Sequence, residues 1–486
     1  MPGLSPTKPD RSRPIRSKLL RCVLAGSVLG AAPGVAAAQP APEAWQLPMP
    51  TSDPLRIDFS TDPILRLSES AMPADEVRAV IAGALARHPA RLEALASQDE
   101  AEAALAEARE RLFPSGEVTI NSYKTLARDF SNDPENIIER SRPDQRTDAL
   151  LNVQQTVLDF GATSRRIAAA GARLRAASAG QESIADQLAL RAIANWYDVA
   201  AYQALVAVSL EFSAMQEAFR GAVKERIAQG VSAEGDLARA ESYIASAETR
   251  HAQLQRSLAQ AEARFEELTG TPVSPAQPRA PRLGEEPIDR AMAVSEARAN
   301  PQVRAAQAQA DAARQDARAV RSEALPNVTA GIDAGRYGVF ETDRDYDVRA
   351  RVTLRHRFFG GAEPRVEQAQ ARARSVEARA DRIRQEAERD ASIAWSDVQA
   401  LEAQAAALRE SYIASRRSRD ILFERFRAAR GSLFDVLEAN DSYFETAVAY
   451  VQAISELDAA RYVLLSRTGR LLDALDIAPD PTAGAG

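Results

Sequence analysis

The sequence predicts a mainly α-helical fold with a small antiparallel β part, built from two copies of one pattern. Three observations carry that prediction. First, the chain repeats itself. His88-Pro89 is followed 25 residues later by Pro114, and Asn300-Pro301 is followed 25 residues later by Pro326, at an offset of 212. Trp196-Tyr197-Asp198-Val199 returns as Trp395-Ser396-Asp397-Val398, and Asp236 and Ala240 return as Asp435 and Ala439, all at an offset of 199. Second, long stretches are rich in Ala, Glu, Gln and Arg, which suit long helices packed closely side by side. Third, four short segments alternate apolar and polar residues with the period of a strand.

Residues 1–38 read as a secretory signal. Arg11, Arg13, Arg16, Lys18 and Arg21 form a basic start, Cys22 to Ala32 a short apolar core, and Ala36-Ala37-Ala38 a cleavage site. Cys22 is the only cysteine, so cleavage leaves a chain safe from stray disulfides in an oxidising compartment. Cleavage also removes six basic residues and Asp10, moving the formal charge from −7 to −12. So acidic a chain does not read as a nucleic-acid binder.

Residues 39–74 are expected to be an extended linker. The first repeat, 75–274, is read as a helix over 75–112, two strands, a very long helix over 162–228, and a final helix over 233–269. A Pro-rich linker, 275–287, leads to the second repeat, 288–475. That repeat holds helices over 288–324, 362–428 and 433–474, with two strands after the first helix. Residues 476–486 are expected to be a disordered tail. At a rise of 1.5 Å per residue the long helices reach about 100 Å, far beyond a globular domain. Met215, Phe219, Val223 and Ile227 form one narrow apolar stripe, and Ile454 and Leu457 continue another, as coiled-coil packing requires.

The alternating segments argue against a plain coiled-coil rod. Tyr346, Val348, Ala350, Val352 and Leu354 alternate with Asp347, Arg349, Arg351, Thr353 and Arg355. Val328, Ala330, Ile332 and Ala334 alternate likewise; Leu151, Val153 and Val157 do so with Gln155 breaking the face; Val118 and Ile120 begin a fourth segment. One greasy and one polar face is the pattern of a membrane β-barrel. Pro114 and Pro326 end the preceding helices, and Gly161 and Gly360-Gly361 permit tight strand-to-helix exits. Four strands cannot close a barrel, and an open edge in lipid leaves backbone groups unpaired. Copies of the chain must therefore share one, and three would supply twelve strands.

No catalytic chemistry is legible. His88, His251 and His356 lie far apart without metal-ligand spacing. No phosphate loop or nucleophile motif occurs, so neither an enzyme nor a cofactor is expected. The arginines of the strands read as a wetted face, and Trp196 and Trp395 as core. Asp435 and Glu438 are three residues apart and share one face at the start of the final helix, with Asp236 the counterpart of Asp435. Acids in a first turn favour the helix dipole, which is their plain explanation.

The chain resembles the TolC family of outer-membrane efflux and secretion channels over about residues 75–475. The resemblance is carried by Leu325-Pro326-Asn327-Val328, by Leu158-Asp159-Phe160-Gly161, by the paired Trp-x-Asp-Val, and by the run from Gly431 to Asn440. It implies a homotrimer with a β-barrel in the outer membrane and a helical tunnel across the periplasm. It also implies a periplasmic adaptor and an inner-membrane ABC or other pump as partners, and it puts Asp435, Glu438 and Asp236 at a periplasmic gate. The turns at Gly230, Val231 and Ser232 and at Arg430, Gly431, Ser432 and Leu433 are the expected adaptor-docking sites. In the second turn the family's glycine position holds Ala429, and Phe426 stands where a latch tyrosine occurs. The run Ala460–Leu465 with Thr468–Leu471 is similar to members serving type I protein secretion. Multidrug or metal efflux on the same scaffold is the alternative. From other classes, a periplasmic coiled-coil adaptor would need a single hairpin, and a diffusion porin has no use for such long helices.

Overall fold

The structure is a computed structural model that describes residues 47–68, 71–131, 133–283, 289–357, 360–428 and 430–477. The expected signal, its cleavage site, Cys22, Ala429 and nearly all of the tail lie outside these residues, as do positions 284–287 of the linker. The described residues all belong to one unit, Ala41–Gly486.

The first repeat comprises α2 (Ala74–Arg87), α3 (Pro89–Glu110), β1 (Ser115–Lys124), β2 (Gln145–Leu158), α5 (Ala162–Ala228) and α6 (Glu234–Thr269). A single turn, α1 (Pro63–Arg66), precedes it, and another, α4 (Ile137–Arg140), lies in the β1–β2 connection. The second repeat comprises α7 (Arg290–Ala297), α8 (Pro301–Glu323), β3 (Asn327–Arg336), β4 (Tyr346–Arg355), α9 (Ala362–Arg427) and α10 (Leu433–Arg467), followed by α11 (Leu471–Ala474). The β1–β2 connection, 125–144, is much longer than its counterpart, 337–345, as the drop in offset from 212 to about 200 foretells.

Three expectations need correction. The helices expected over 75–112 and 288–324 are each broken in two. Pro89 and Pro301 cannot donate to a preceding turn and hold the residue before them extended. His88 Nδ1 accepts the Ala90 N–H (3.1 Å) and Asn300 Oδ1 the Gln302 N–H (2.9 Å), so each break starts a new capped helix. The helix expected over 433–474 ends at Arg467, because Gly469 is left-handed (φ +74°) and packs against Asn300. Residues 39–74 are not merely extended: the described part carries a 3₁₀ turn, Phe59–Thr61, and α1, and buries Leu47, Ile64, Leu65 and Leu67 in the core.

The four strands form one antiparallel sheet in the order β1-β2-β3-β4. Its register sorts the side chains cleanly. Val118, Leu151, Ala334 and Val348 share one row, and Gly116, Val153, Ile332 and Ala350 the next on the same face. A bulge at Val157 resets the pleat, so Leu158 rather than Val157 joins Val328 and Leu354 on that face. The other face carries rows such as Glu117, Asn152, Asp333 and Arg349.

The helical core lies mainly between α5, α9 and α10. Met215, Phe219 and Val223 of the expected stripe are buried there with Leu437, Tyr443 and Phe444. A second cluster surrounds Trp196, which meets Phe265 edge-on at 5.8 Å and donates its indole N–H to Pro278 O (2.7 Å). The linker following α6 is thereby tied down, with Tyr197 Oη donating to Ala280 O (2.9 Å) and Gln203 Nε2 to Ser274 O (2.8 Å).

Candidate functional site: the hairpin tips and the sheet

Gly161 and Gly361 are left-handed (φ +83° and +69°) and open α5 and α9 directly beneath the sheet. Asp159 fixes the first exit by accepting the Gly161 N–H (2.9 Å) and the Thr163 N–H (2.7 Å). Gly360 serves differently: its φ is ordinary, but a Cβ there would press on the Arg357 side chain. From these exits α5 and α9 run 67 and 66 residues to the opposite end, about 100 Å away.

At that end the two turns meet. Gly230 is left-handed (φ +72°), its N–H donates to Ile227 O (2.9 Å), and Val231 is 59% exposed. In the second turn Arg430 N–H donates to Arg425 O (2.9 Å), and Ser432 Oγ accepts the Phe434 N–H (3.1 Å), which starts α10. A Cβ on Gly431 would lie 3.1 Å from the Phe426 nitrogen, so close approach rather than φ requires glycine there. Leu433 is buried, so its side chain is a core residue and not part of a free turn surface. The Arg226 guanidinium lies over the Phe426 ring (4.4 Å) and that of Arg239 over the Phe434 ring (5.2 Å). These cation–π contacts clip the two hairpins together at the tip. Sequence reasoning missed both arginines, since their partners are about 200 residues away.

Asp435 and Glu438 are both exposed in the first turns of α10. Asp236 is half-buried and its carboxylate accepts the Ala233 N–H (3.3 Å), so it serves the start of α6. Of the three expected gate acids, Asp435 and Glu438 are thus exposed, and Asp236 also serves as a cap.

The far end is of opposite character. On the apolar face of the sheet Leu151 (41%), Val118, Ile120, Leu354 and Val352 (77%) are exposed, while Val153, Val328 and Ala334 are half-buried. On the polar face Asn152 bonds Asp333, and Arg351 pairs with Asp333 (3.4 Å). The outer edges of β1 and β4 have no strand partner among the described residues. No described helix is long and apolar enough to cross a membrane.

The profile of the outer membrane efflux protein family matches residues 80–271 and 293–470. The chain belongs to that family. Its members are passive channels and not enzymes. The outer membrane efflux protein BepC of Brucella suis is 34% identical over 80 residues, a match spanning 16% of this chain and 18% of that protein. The fold is shared with the outer membrane protein VceC of Vibrio cholerae (TM-score 0.71, 18% identity, 83% of this chain and 97% of that one). It is shared equally with the CmeC outer membrane channel of Campylobacter jejuni (TM-score 0.72, 14% identity, 89% and 94%). The open-state MtrE outer membrane channel of Neisseria gonorrhoeae is a third such structure (TM-score 0.70, 17% identity, 89% and 98%).

Proposed function

We propose that the chain is the outer-membrane exit duct of a tripartite export system, working as a homotrimer. The observation that supports this best is the sheet. An exposed apolar face this large is costly in water and favourable against outer-membrane lipid. Its two open edges call for partner strands, and three copies supply a closed twelve-strand barrel. The helices below form a tunnel across the periplasm, and the signal-like residues 1–38 direct export. A periplasmic adaptor docks at the hairpin turns around Val231 and Gly431, and an inner-membrane pump, an ABC transporter or another, supplies the energy. Purification tests the assembly: a detergent-dependent trimer from outer membranes is expected, and a stable soluble monomer would sink it.

Three-fold symmetry turns Asp435 and Glu438 into two rings of three carboxylates, about 5 Å apart along the axis. In a narrow entrance such rings favour cations. The change Asp435→Ala with Glu438→Ala should weaken cation selectivity in planar bilayers while trimers persist. Wild-type selectivity in that variant would return both acids to helix-start chemistry.

For cargo, the run around Tyr462 and Gly469 supports type I protein secretion. BepC is an outer membrane efflux protein, which supports the second reading, multidrug or metal efflux on the same scaffold. A deletion strain separates them: loss of a secreted protein supports the first, and drug or metal sensitivity with secretion intact supports the second.

A further inference from the structure

Residues 47–68 precede the family match at 80–271 and 293–470, yet they are built into the core. They are held to α9 at two places. At one, Pro48 O accepts from Arg419 Nη1 (2.8 Å) and Thr51 N–H donates to Asp420 Oδ2 (3.5 Å). Arg419 and Asp420 are fully buried and paired with each other (2.7 Å). At the other, Asp62, 1% exposed, forms an ion pair with Arg416, accepts from Tyr412 Oη (3.0 Å), and caps α1 through the Ile64 N–H (2.9 Å). Phe59 lies under the Arg417 guanidinium (5.7 Å). The apolar residues of the segment share one cluster with Val208 of α5 and Tyr450 of α10. From the inter-repeat linker, Arg279 joins Leu67 O (2.6 Å) to Asp458 of α10 (3.0 Å).

The level of this segment marks a change in the interface between α5 and α10. Phe212 and Phe444 stack at 4.2 Å. One turn nearer the tip on each helix come Gln216 and Asn440, both buried, whose side-chain amides have no hydrogen-bond partner among the described residues. An unpaired buried amide weakens the contact that encloses it. The hairpins continue about 25 Å beyond Tyr412 to the tip.

We propose that residues 47–68 are a clasp that binds the second hairpin to α5 and sets the fulcrum about which the tip opens. Above it, ion pairs and apolar burial hold α5, α9 and α10 as one body. Below it, the unpaired Gln216–Asn440 level interrupts the apolar packing, which resumes at Phe219, Val223 and Leu437, and is the weak layer about which the tip pivots. The proposal rests on the reading of the chain as a gated channel.

Two variants of the trimer with opposite expected signs test it in planar bilayers. Asp62→Ala removes the charge, the cap and the Tyr412 acceptor, and should raise open probability about 3- to 10-fold. Phe59→Cys with Arg417→Cys, bridged by a thiol-cleavable dimaleimide, should lower it by a similar factor, and cleavage should restore it. If Asp62→Ala does not assemble, the bridged protein decides alone. Amide hydrogen exchange gives a reading independent of conduction: Asp62→Ala should speed exchange over 443–450. Unchanged exchange together with unchanged open probability in both variants would overturn the clasp. A wild-type trimer that conducts nothing would overturn the channel reading instead, and exchange would still judge the clasp.

Discussion

At Asp186 a single carboxylate is buried between α5 and the end of α10, with Ser466 Oγ as its donor. Burial pushes its pKa up to about 6, against 3.8 ordinarily, with Ser466 and Arg467 opposing. The native state therefore holds this proton more tightly than the unfolded chain does. Stability from this group is fully present below about pH 4 and is lost as the pH rises to about 6, by roughly 3 kcal/mol at most. Asp186→Asn keeps an acceptor for Ser466 and should flatten that dependence and raise the urea midpoint at pH 7. Melts at several pH values in detergent would check it, and an unchanged slope between pH 4 and 6 would refute it. Nothing in the sequence marks Asp186, because its burial depends on α10, some 280 residues on. Gly161 and Gly361 are legible, since a strand that turns sharply into a helix needs a left-handed residue. Phe160 also adopts positive φ (+53°), which no sequence rule for a bulky aromatic foretells.

Among the elements, the long helices are legible to within a residue or two, because runs rich in Ala, Glu, Gln and Arg follow Gly161 and Gly361 and favour helix over more than 60 residues. The breaks at His88-Pro89 and Asn300-Pro301 are visible as repeats but read as marks of duplication rather than as caps. Proline in a first turn starts a helix as readily as it ends one. The bulge at Val157 accounts for the irregular face of β2: sequence alternation cannot show an inserted residue, whereas pairing with β3 does. The turns differ as elements too. Val231 projects from its turn, whereas Leu433 belongs to the core. Val231→Arg should therefore weaken adaptor crosslinking several-fold with trimers intact. Leu433→Ala should cost about 2–5 kcal/mol of stability without any direct effect on docking. Crosslinking that survives Val231→Arg would move the docking site away from the first turn.

For the whole molecule, the proposed barrel fixes how copies must meet. Twelve strands tilted by 35–45° require a total stagger of roughly 12–18 residues, hence about 4–6 per chain. The shift must be even to keep the apolar face outward. Within one chain Glu117 lies in the row of Arg349, so a stagger of six sets Glu117 of one copy opposite Arg355 of the next. Both are exposed and have no ion-pair partner among the described residues. Glu117→Cys with Arg355→Cys should oxidise to covalent trimers, whereas Glu117→Cys with Thr353→Cys should not. The reverse outcome would fix the stagger at four. The clasp also bears on how such a molecule comes into being. Its bonds join residues 350 to 371 positions apart, among the most distant in the chain. Residues 47–68 are made early, but their binding groove exists only once Tyr412, Arg419 and Tyr450 have been synthesised and packed. Contacts of such sequence separation form late, because the loop entropy must be overcome first. Residues 47–68 are thus among the last parts to find their place, and Arg416, Arg419 and Asp420 stay hydrated until they do. An unfinished chain keeps those charges in water, which disfavours premature collapse while the rest is still in transit.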